Sequence, residues 1–144
     1  DDPFLLPALG VTEKDLVAPP MLHNDYLLVV KSRAAVEGID PDFRALRKAH
    51  GRGVIVSAAD DEVDFVSRFF APKVGVDEDP VTGSAHCLLI PYWAEALGKM
   101  EMTARQLSKR GGQLQCRLVN GANGGDRVAI GGQAQLFFSG TLSL

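Results

Sequence analysis

The segment from Gly83 to Leu97 constrains the fold of this chain more than any other part of the sequence. It is typical of a helix, and Gly98 suits the C-terminal cap. Apolar residues surround nearly its whole circumference: Ala85, Cys87, Leu88, Leu89, Ile90, Tyr92, Trp93, Ala94, Ala96 and Leu97. Because a helix that is apolar on all sides is a buried helix, we expect protein to wrap it on every side. Pro91 lies well inside the segment and should kink the helix or divide it into two pieces.

Short apolar runs before this segment predict strands, and most of the chain after it is also interpreted as strands. The predicted strands are Tyr26–Val30, Val54–Val56, Val63–Phe70, Glu101–Ser108, Gln113–Val119, Arg127–Ile130 and Gln133–Phe138. The third of these has apolar residues on both of its sides, which predicts a central strand. The alternation of Ala134, Leu136 and Phe138 supports the last of these, with one buried face. A turn is expected at Asn120–Gly125. A surface helix should begin with Asp40 as N-cap and Pro41 as first residue, and should end near Gly51.

Together these elements predict a single α+β domain over residues 1–144. Residues 1–24 are rich in proline and are expected to form a leading segment, with one helical turn around Glu13–Val17. The sheet should be mostly antiparallel, and it should curl, barrel-like, around the buried central helix.

Charge and composition exclude several kinds of partner. The formal net charge is −3 and no basic block is present, so we expect neither nucleic acid nor an anionic membrane as a partner. No apolar run approaches the ~18 residues of a membrane span. Because Asp1–Pro3 contain neither Met nor a basic residue, we expect no signal peptide in these residues. Cys87 and Cys116 lack the spacing of a zinc site, and we expect them to be reduced thiols of a cytoplasmic protein.

The start of the buried helix is the best candidate for chemistry. Thr82, Gly83, Ser84 and Ala85 would present backbone N–H groups that have no partner inside the helix and carry the positive end of its dipole. Because glycine permits close approach to the backbone, a carboxylate or phosphate is the natural guest. The alternative is that Thr82 or Ser84 only caps the helix. The residues leave both interpretations open.

An acidic residue lies just ahead of this turn. Asp79 would be close enough to act as a proton acceptor or donor beside a bound anion. Alternatively, it supports the turn through the backbone amides that follow it. Asp77 and Glu78 are expected to be solvated.

The histidines and cysteines offer weaker candidates. His86 lies in the first turn of the helix, where it either reaches a ligand or packs as a neutral side chain. His23 and His50 are expected at the surface. Cys87 is expected in the core, although thiols near helix N-termini are activated and a catalytic thiolate is the alternative.

Five segments of the chain carry a family resemblance. Glu78–His86, preceded by Ser67–Pro72 and Gly75, closely resembles the phenazine-biosynthesis-protein (PhzF-like) family, and Gln106–Ser108 and Arg110–Gly112 fit further on. The resemblance implies a diaminopimelate-epimerase-like fold of two similar lobes. Each lobe is a curled sheet around a central helix, and the active site lies in the cleft between them. This chain resembles the C-terminal lobe.

The resemblance also implies an activity. The family is associated with isomerisation by proton transfer at carbon in small carboxylate-bearing molecules, without a metal or organic cofactor. The resemblance implies that Asp79 takes part in the proton transfer. Gly83 and Ser84 would hold the substrate carboxylate or enol oxygen, with Thr82 and Ala85 on either side of them.

The family's acid/base glutamate, its Gly-Asn-Pro segment and a ligand-contacting histidine belong to the N-terminal lobe, and none of them is found in these residues. The chain therefore holds half a catalytic site. We expect it to require an N-terminal lobe of the same protein or of another chain, and to be inactive as an isolated lobe. The alternative is a carboxylate-binding or assembly module without turnover. In that case an exposed apolar wall favours a homo-oligomer.

Overall fold

The computed structural model of the chain describes residues 2–120 and 126–142. Within these residues there are four α-helices, α1 (Leu5–Leu9), α2 (Arg33–Glu37), α3 (Phe43–Leu46) and α4 (Gly83–Leu97), with 3₁₀ turns at Glu13–Asp15 and Pro72–Val74. The strands are β1 (Met21–Leu22), β2 (Tyr26–Val29), β3 (Val54–Ala59), β4 (Phe65–Phe70), β5 (Glu101–Gln106), β6 (Gly112–Asn120) and β7 (Asp126–Gly131). The turn predicted at 120–125 falls largely outside the described residues.

The seven strands form one mixed sheet in which their spatial order follows their order in the chain. Four neighbouring pairs are antiparallel, whereas β2–β3 and β4–β5 are parallel. Each parallel pair is joined by a crossover that contains helix, α2 and α3 in the first and α4 in the second. The α+β class is therefore confirmed. The barrel-like curl and the second lobe stay predictions.

The sheet separates two apolar cores. Helices α1, α2 and α3 cover one face of β2–β4, and α4 covers the other face from β2 to β6. On β4, Phe65 and Phe69 point towards α4, while Val66 and Phe70 point into the opposite core. The predicted central position of this strand is confirmed. In β5, buried and exposed residues alternate instead, because its outer face lies open to solvent.

Helix α4 is buried on one side only, which corrects the prediction that protein wraps it on every side. Ala85, Leu89 and Ile90 are almost fully buried against the sheet, whereas Cys87 is exposed and was wrongly predicted to be core. Among the described residues the sheet covers one side of the helix, and this explains the difference. The helix is not divided at Pro91. Every helix in the described part of the chain falls short of the length and hydrophobicity that a membrane span needs.

An aromatic contact holds α4 against the sheet. Trp93 stacks on Phe65 with the ring centroids 5.7 Å apart, and its Nε1 donates a hydrogen bond to the Ser57 hydroxyl at 2.9 Å. The helix then ends at Gly98, whose φ of 65° is left-handed, as the predicted C-cap requires. These contacts place the N-terminus of α4 beside the loop that follows β4.

The sequence predictions missed or misplaced several short elements. Helices α1 and α2 and strand β1 were not predicted. The predicted surface helix is shorter than expected, since its N-cap is Asp42 rather than Asp40 and it ends at Leu46. Both aspartates are suitable caps, but the backbone N–H of Asp42 donates to the Ala8 carbonyl of α1. A tertiary contact therefore selects the later residue.

The predicted strand Gln133–Phe138 is wrong. Residues 132–142 have no regular structure, and Leu136 and Phe137 are 82% and 100% exposed. Strand β7 is the last strand of the sheet, and among the described residues its outer edge is unpaired, but residues 132–142 leave the sheet instead of pairing with that edge. Alternation along a segment predicts which of its faces would be buried, but not whether the segment pairs with an edge of the sheet.

Candidate active site

The loop between β4 and α4 carries Asp79 and is tied to the sheet at several points. The backbone N–H of Asp79 donates to the Phe69 carbonyl at 3.0 Å, and its carbonyl accepts from Gln106 Nε2 at 2.8 Å. One carboxylate oxygen, Oδ2, accepts a hydrogen bond from the Thr82 hydroxyl at 2.6 Å. Asp79 is partly exposed. The structure therefore holds this carboxylate in one orientation at the surface.

Thr82 is buried, and its polar groups are all engaged within the protein. Besides donating to Asp79, its hydroxyl accepts from Gln106 Nε2 at 2.9 Å, and its N–H donates to Gln106 Oε1 at 2.8 Å. Gln106 is only 1% exposed. A single buried amide therefore supports both Asp79 and Thr82. Sequence reasoning did not identify this role of Gln106, although the residue belongs to a segment that carries the family resemblance.

The first turn of α4 lacks a side-chain cap. Thr82 occupies the N-cap position, but its side chain makes no capping hydrogen bond, so the interpretation of Thr82 as a simple cap is wrong. In the described residues, no side chain accepts from the N–H groups of Gly83, Ser84 or Ala85. Gly83 and Ser84 are exposed, whereas Ala85 is buried. The positive end of α4 thus opens at the surface beside Asp79.

A guanidinium group that sequence reasoning missed lies at this helix end. Arg52 Nη2 donates to Ser84 Oγ at 3.0 Å, and Arg52 also forms two hydrogen bonds, of 2.9 and 2.6 Å, with the buried Asp25 carboxylate. The hydrogen bond with Asp25 raises the pKa of Arg52. Arg52 and Asp25 do not belong to a recognisable sequence motif. The contact between Arg52 and Ser84 spans 32 positions of sequence, so no local pattern indicates it.

Glu78 is not solvated, in contrast to its prediction. Arg68 Nε and Nη2 donate to its two carboxylate oxygens at 2.7 and 3.0 Å, and the guanidinium lies over the Phe70 ring. Arg68 Nη1 also donates to the Ile39 carbonyl. Asp77 is exposed, as predicted. The Glu78 ion pair therefore anchors the Asp79 loop from the side opposite Gln106.

His86 packs as a neutral side chain beneath the site. It is fully buried, and its Nδ1 lies 2.7 Å from the Thr82 carbonyl. Because a carbonyl only accepts, Nδ1 carries the proton. Burial lowers the pKa of His86 by more than the hydrogen bond to Thr82 raises it. Of the two interpretations of His86, the structure supports the packed one. His23 and His50 are exposed, as predicted.

The buried His86 predicts a pH-dependent stability. Below about pH 6.5 the unfolded chain binds a proton that the native state excludes, so the free energy of unfolding should fall as the pH decreases from about 7 to about 5.5. The expected contribution is about 1 kcal/mol, measured by urea unfolding. The variant His86→Gln should lose this part of the slope, and the exposed control His23→Gln should retain it. An unchanged slope in His86→Gln would contradict the assignment.

The surface has several grooves, and one of them adjoins the Asp79 loop. One groove, about 540 Å³, is lined by residues of β5, β6 and β7 together with Asp64. Another, about 480 Å³, is lined by Glu78, Pro80 and Ser108 with the basic pair Lys109 and Arg110, and it adjoins the Asp79 loop. No group of three or more metal-ligating side chains occurs within residues 2–120 and 126–142. Burial raises the pKa of Cys116 to about 11.

Comparison with known proteins identifies the relatives of this chain. Two uncharacterized isomerases of Pseudomonas aeruginosa are 53% and 46% identical to it over 138 and 140 residues. These alignments cover 95% and 97% of this chain but 49% and 51% of the relatives, so the chain spans about half of their length. A crystal structure of a phenazine biosynthesis protein of the PhzF family from Enterococcus faecalis superposes with a TM-score of 0.76 at 42% identity, covering 93% of this chain and 52% of that one.

A family model described as phenazine biosynthesis-like protein matches residues 14–140, which include the Asp79 loop, all of α4 and Gln106. The relatives and the solved structure agree with this match over the same part of the chain. The chain therefore belongs to the phenazine biosynthesis-like protein family.

Proposed function

We propose that this chain is one lobe of an isomerase that moves a proton at a carbon atom of a small carboxylate-bearing metabolite. The observation that carries the proposal is the carboxylate of Asp79, held by Thr82 beside the uncapped N-terminus of α4. The names of the two Pseudomonas aeruginosa relatives, both isomerases, support the reaction class.

In this proposal the substrate carboxylate, or an enol oxygen formed from the substrate, binds at the start of α4. The N–H groups of Gly83, Ser84 and Ala85 point along the helix axis, and the dipole adds a favourable partial charge. No heavy atom lies within 4 Å of the position that a Cβ of Gly83 would take, so an anion can approach the backbone closely there. Thr82 was also predicted to bind substrate. Its hydroxyl and N–H are occupied by Asp79 and Gln106, so we assign it the orientation of Asp79.

Asp79 is the proton-transfer group of this proposal. Its Oδ2 is occupied by Thr82, whereas Oδ1 has no hydrogen-bond partner among the described residues. A carboxylate held by one oxygen can exchange a proton through the other. Moving a proton between two positions generally needs an acid and a base with different environments. Asp79 supplies one of them, and an N-terminal lobe, in the same protein or on another chain, supplies the other.

The anion site is tested with acetate on the chain alone. In ¹⁵N–¹H spectra, added acetate should shift the amide signals of Gly83, Ser84 and Ala85 in a saturable way. Neutral acetamide, which has nearly the same shape, should not. The amide of Gly10, at the end of α1, is the internal control. Equal shifts with acetate and acetamide would overturn the anion site.

The reaction is tested with the site completed. The chain, combined with an N-terminal lobe of the family, should transfer deuterium from ²H₂O into at least one of a panel of small carboxylic acids, detected by mass spectrometry. Absence of deuterium from the whole panel in the two-lobed protein would contradict the proposed reaction class.

A second candidate function, an assembly module without turnover, is favoured by the exposed C-terminal segment. Phe137 and Phe138 are 100% and 79% exposed, and such apolar patches promote association. In sedimentation velocity at increasing concentration, the chain should form a homo-oligomer, and the double variant Phe137→Ser, Phe138→Ser should not. Val74→Ser, at another exposed apolar position, is the matched control. A parent chain that is monomeric at every concentration would exclude this candidate.

A further inference from the structure

Arg52 approaches the start of α4 from the neighbouring β3 side of the sheet. It directly precedes Gly53 and strand β3, and its side chain is 45% exposed. A positive side chain is not expected at this end of a helix, because the helix dipole is positive there as well. The ion pair with the Asp25 carboxylate, whose side chain is 4% exposed, offsets this repulsion and fixes the position of the guanidinium.

The bonding pattern determines how the guanidinium can act. Nε and Nη2 are used by Asp25, and Nη2 also donates to Ser84 Oγ. In the described part of the chain, Nη1 has no hydrogen-bond partner. Since Ser84 Oγ accepts from Arg52, the hydroxyl hydrogen of Ser84 is directed elsewhere and is available as a donor. The Phe69 ring, 5.6 Å from the guanidinium carbon, limits its movement further.

We infer that Arg52 is a positioning residue of the anion site: it orients the Ser84 hydroxyl towards a substrate carboxylate and adds a fixed positive charge beside the N-terminus of α4. This inference rests on the proposed function. It extends the site from the start of α4 to the residues just before β2 and β3, where Asp25 and Arg52 lie. It favours substrates whose carboxylate is ionised, because a neutral acid or amide gains nothing from the charge.

The lysine variant tests the inference without leaving a buried charge unpaired. Arg52→Lys keeps a cation for Asp25, but an ammonium lacks the planar fork that serves Asp25 and Ser84 together. The dissociation constant for acetate, measured from the Ser84 amide signal, should rise about tenfold, which corresponds to the loss of one charge-assisted hydrogen bond. Arg33→Lys is the matched control, since Arg33 also forms ion pairs but lies on α2, which packs on the opposite face of the sheet. It should bind acetate like the parent.

A double-mutant cycle separates positioning from a general effect on folding. If Arg52 acts through Ser84, Arg52→Lys should weaken acetate binding much less in a Ser84→Ala background than in the parent. The neutral pair Asp25→Asn, Arg52→Gln removes the charge and should weaken binding at least as much as Arg52→Lys. Equal acetate affinity in Arg52→Lys and the parent, or full additivity with Ser84→Ala, would overturn the inference. A parent that does not bind acetate at α4 would instead refute the anion site itself.

Discussion

Replacing Asp79 with asparagine should lower the rate of proton exchange in the two-lobed protein by about 10²- to 10⁴-fold, the usual contribution of a positioned acid or base. Asparagine has nearly the same shape, and its side-chain carbonyl can still accept the hydrogen bond from Thr82. The loop should therefore keep its conformation while the group loses its ability to exchange a proton. The rate is measured as deuterium incorporated into a carboxylic acid on which the parent acts.

Asp77→Asn is the matched control for this experiment, because Asp77 is an exposed acid of the same loop. It should exchange at the parental rate. Acetate binding to Asp79→Asn should also be retained, since the N–H groups of α4 are unchanged. If Asp79→Asn exchanges as fast as the parent, Asp79 has no part in the mechanism.

Replacing Gln106 with alanine should strongly lower the stability of the protein. The change removes three hydrogen bonds and leaves the Thr82 N–H and the Asp79 carbonyl without partners in a largely buried region. We expect the free energy of unfolding to fall by about 3 kcal/mol, because each buried group without a partner costs about 1–3 kcal/mol and such costs are not fully additive. Urea unfolding measures this difference.

Gln113→Ala is the control, since Gln113 lies exposed on the neighbouring strand β6 and should change stability by less than about 0.5 kcal/mol. The Gln106 variant should also weaken acetate binding, because the turn that presents α4 is no longer held in place. A loss of stability in Gln106→Ala as small as that of the control would show that Gln106 does not support the site.

Much of the fold followed from local patterns. The apolar runs predicted β2, β3 and β4 and the central place of β4, and β5, β6 and β7 were predicted as strands as well. The segment from Gly83 to Leu97 was predicted with both of its ends. These predictions succeeded because helix and strand periodicity and glycine caps act over a few neighbouring residues.

Part of the candidate site was equally local. Asp79 and the exposed residues Gly83 and Ser84 lie within one turn of chain, so their proximity was evident before the fold was known. The partners of this turn were not evident. Gln106 and Arg52 reach it from β5 and from the start of β3, and the Glu78–Arg68 pair depends on how the loop folds back on β4.

The failures have a common cause. Gln133–Phe138 has the pattern of a strand but does not pair with the edge of the sheet, Asp42 replaces Asp40 as a cap through a contact with α1, and Cys87 lies on the side of α4 that the sheet leaves open. In each case the residue type was compatible with the prediction. The outcome depended on whether residues distant in sequence form a contact at that position.

By itself, the sequence determined where most strands and the long helix form, and which short turn is the candidate for chemistry, because these depend on interactions between near neighbours. Only the tertiary structure decided which side of α4 is buried, and that Gln106 and Arg52 complete the turn. Those contacts join residues 24 and 32 positions apart, and they exist only once the order of the strands has brought β3, β4 and β5 side by side.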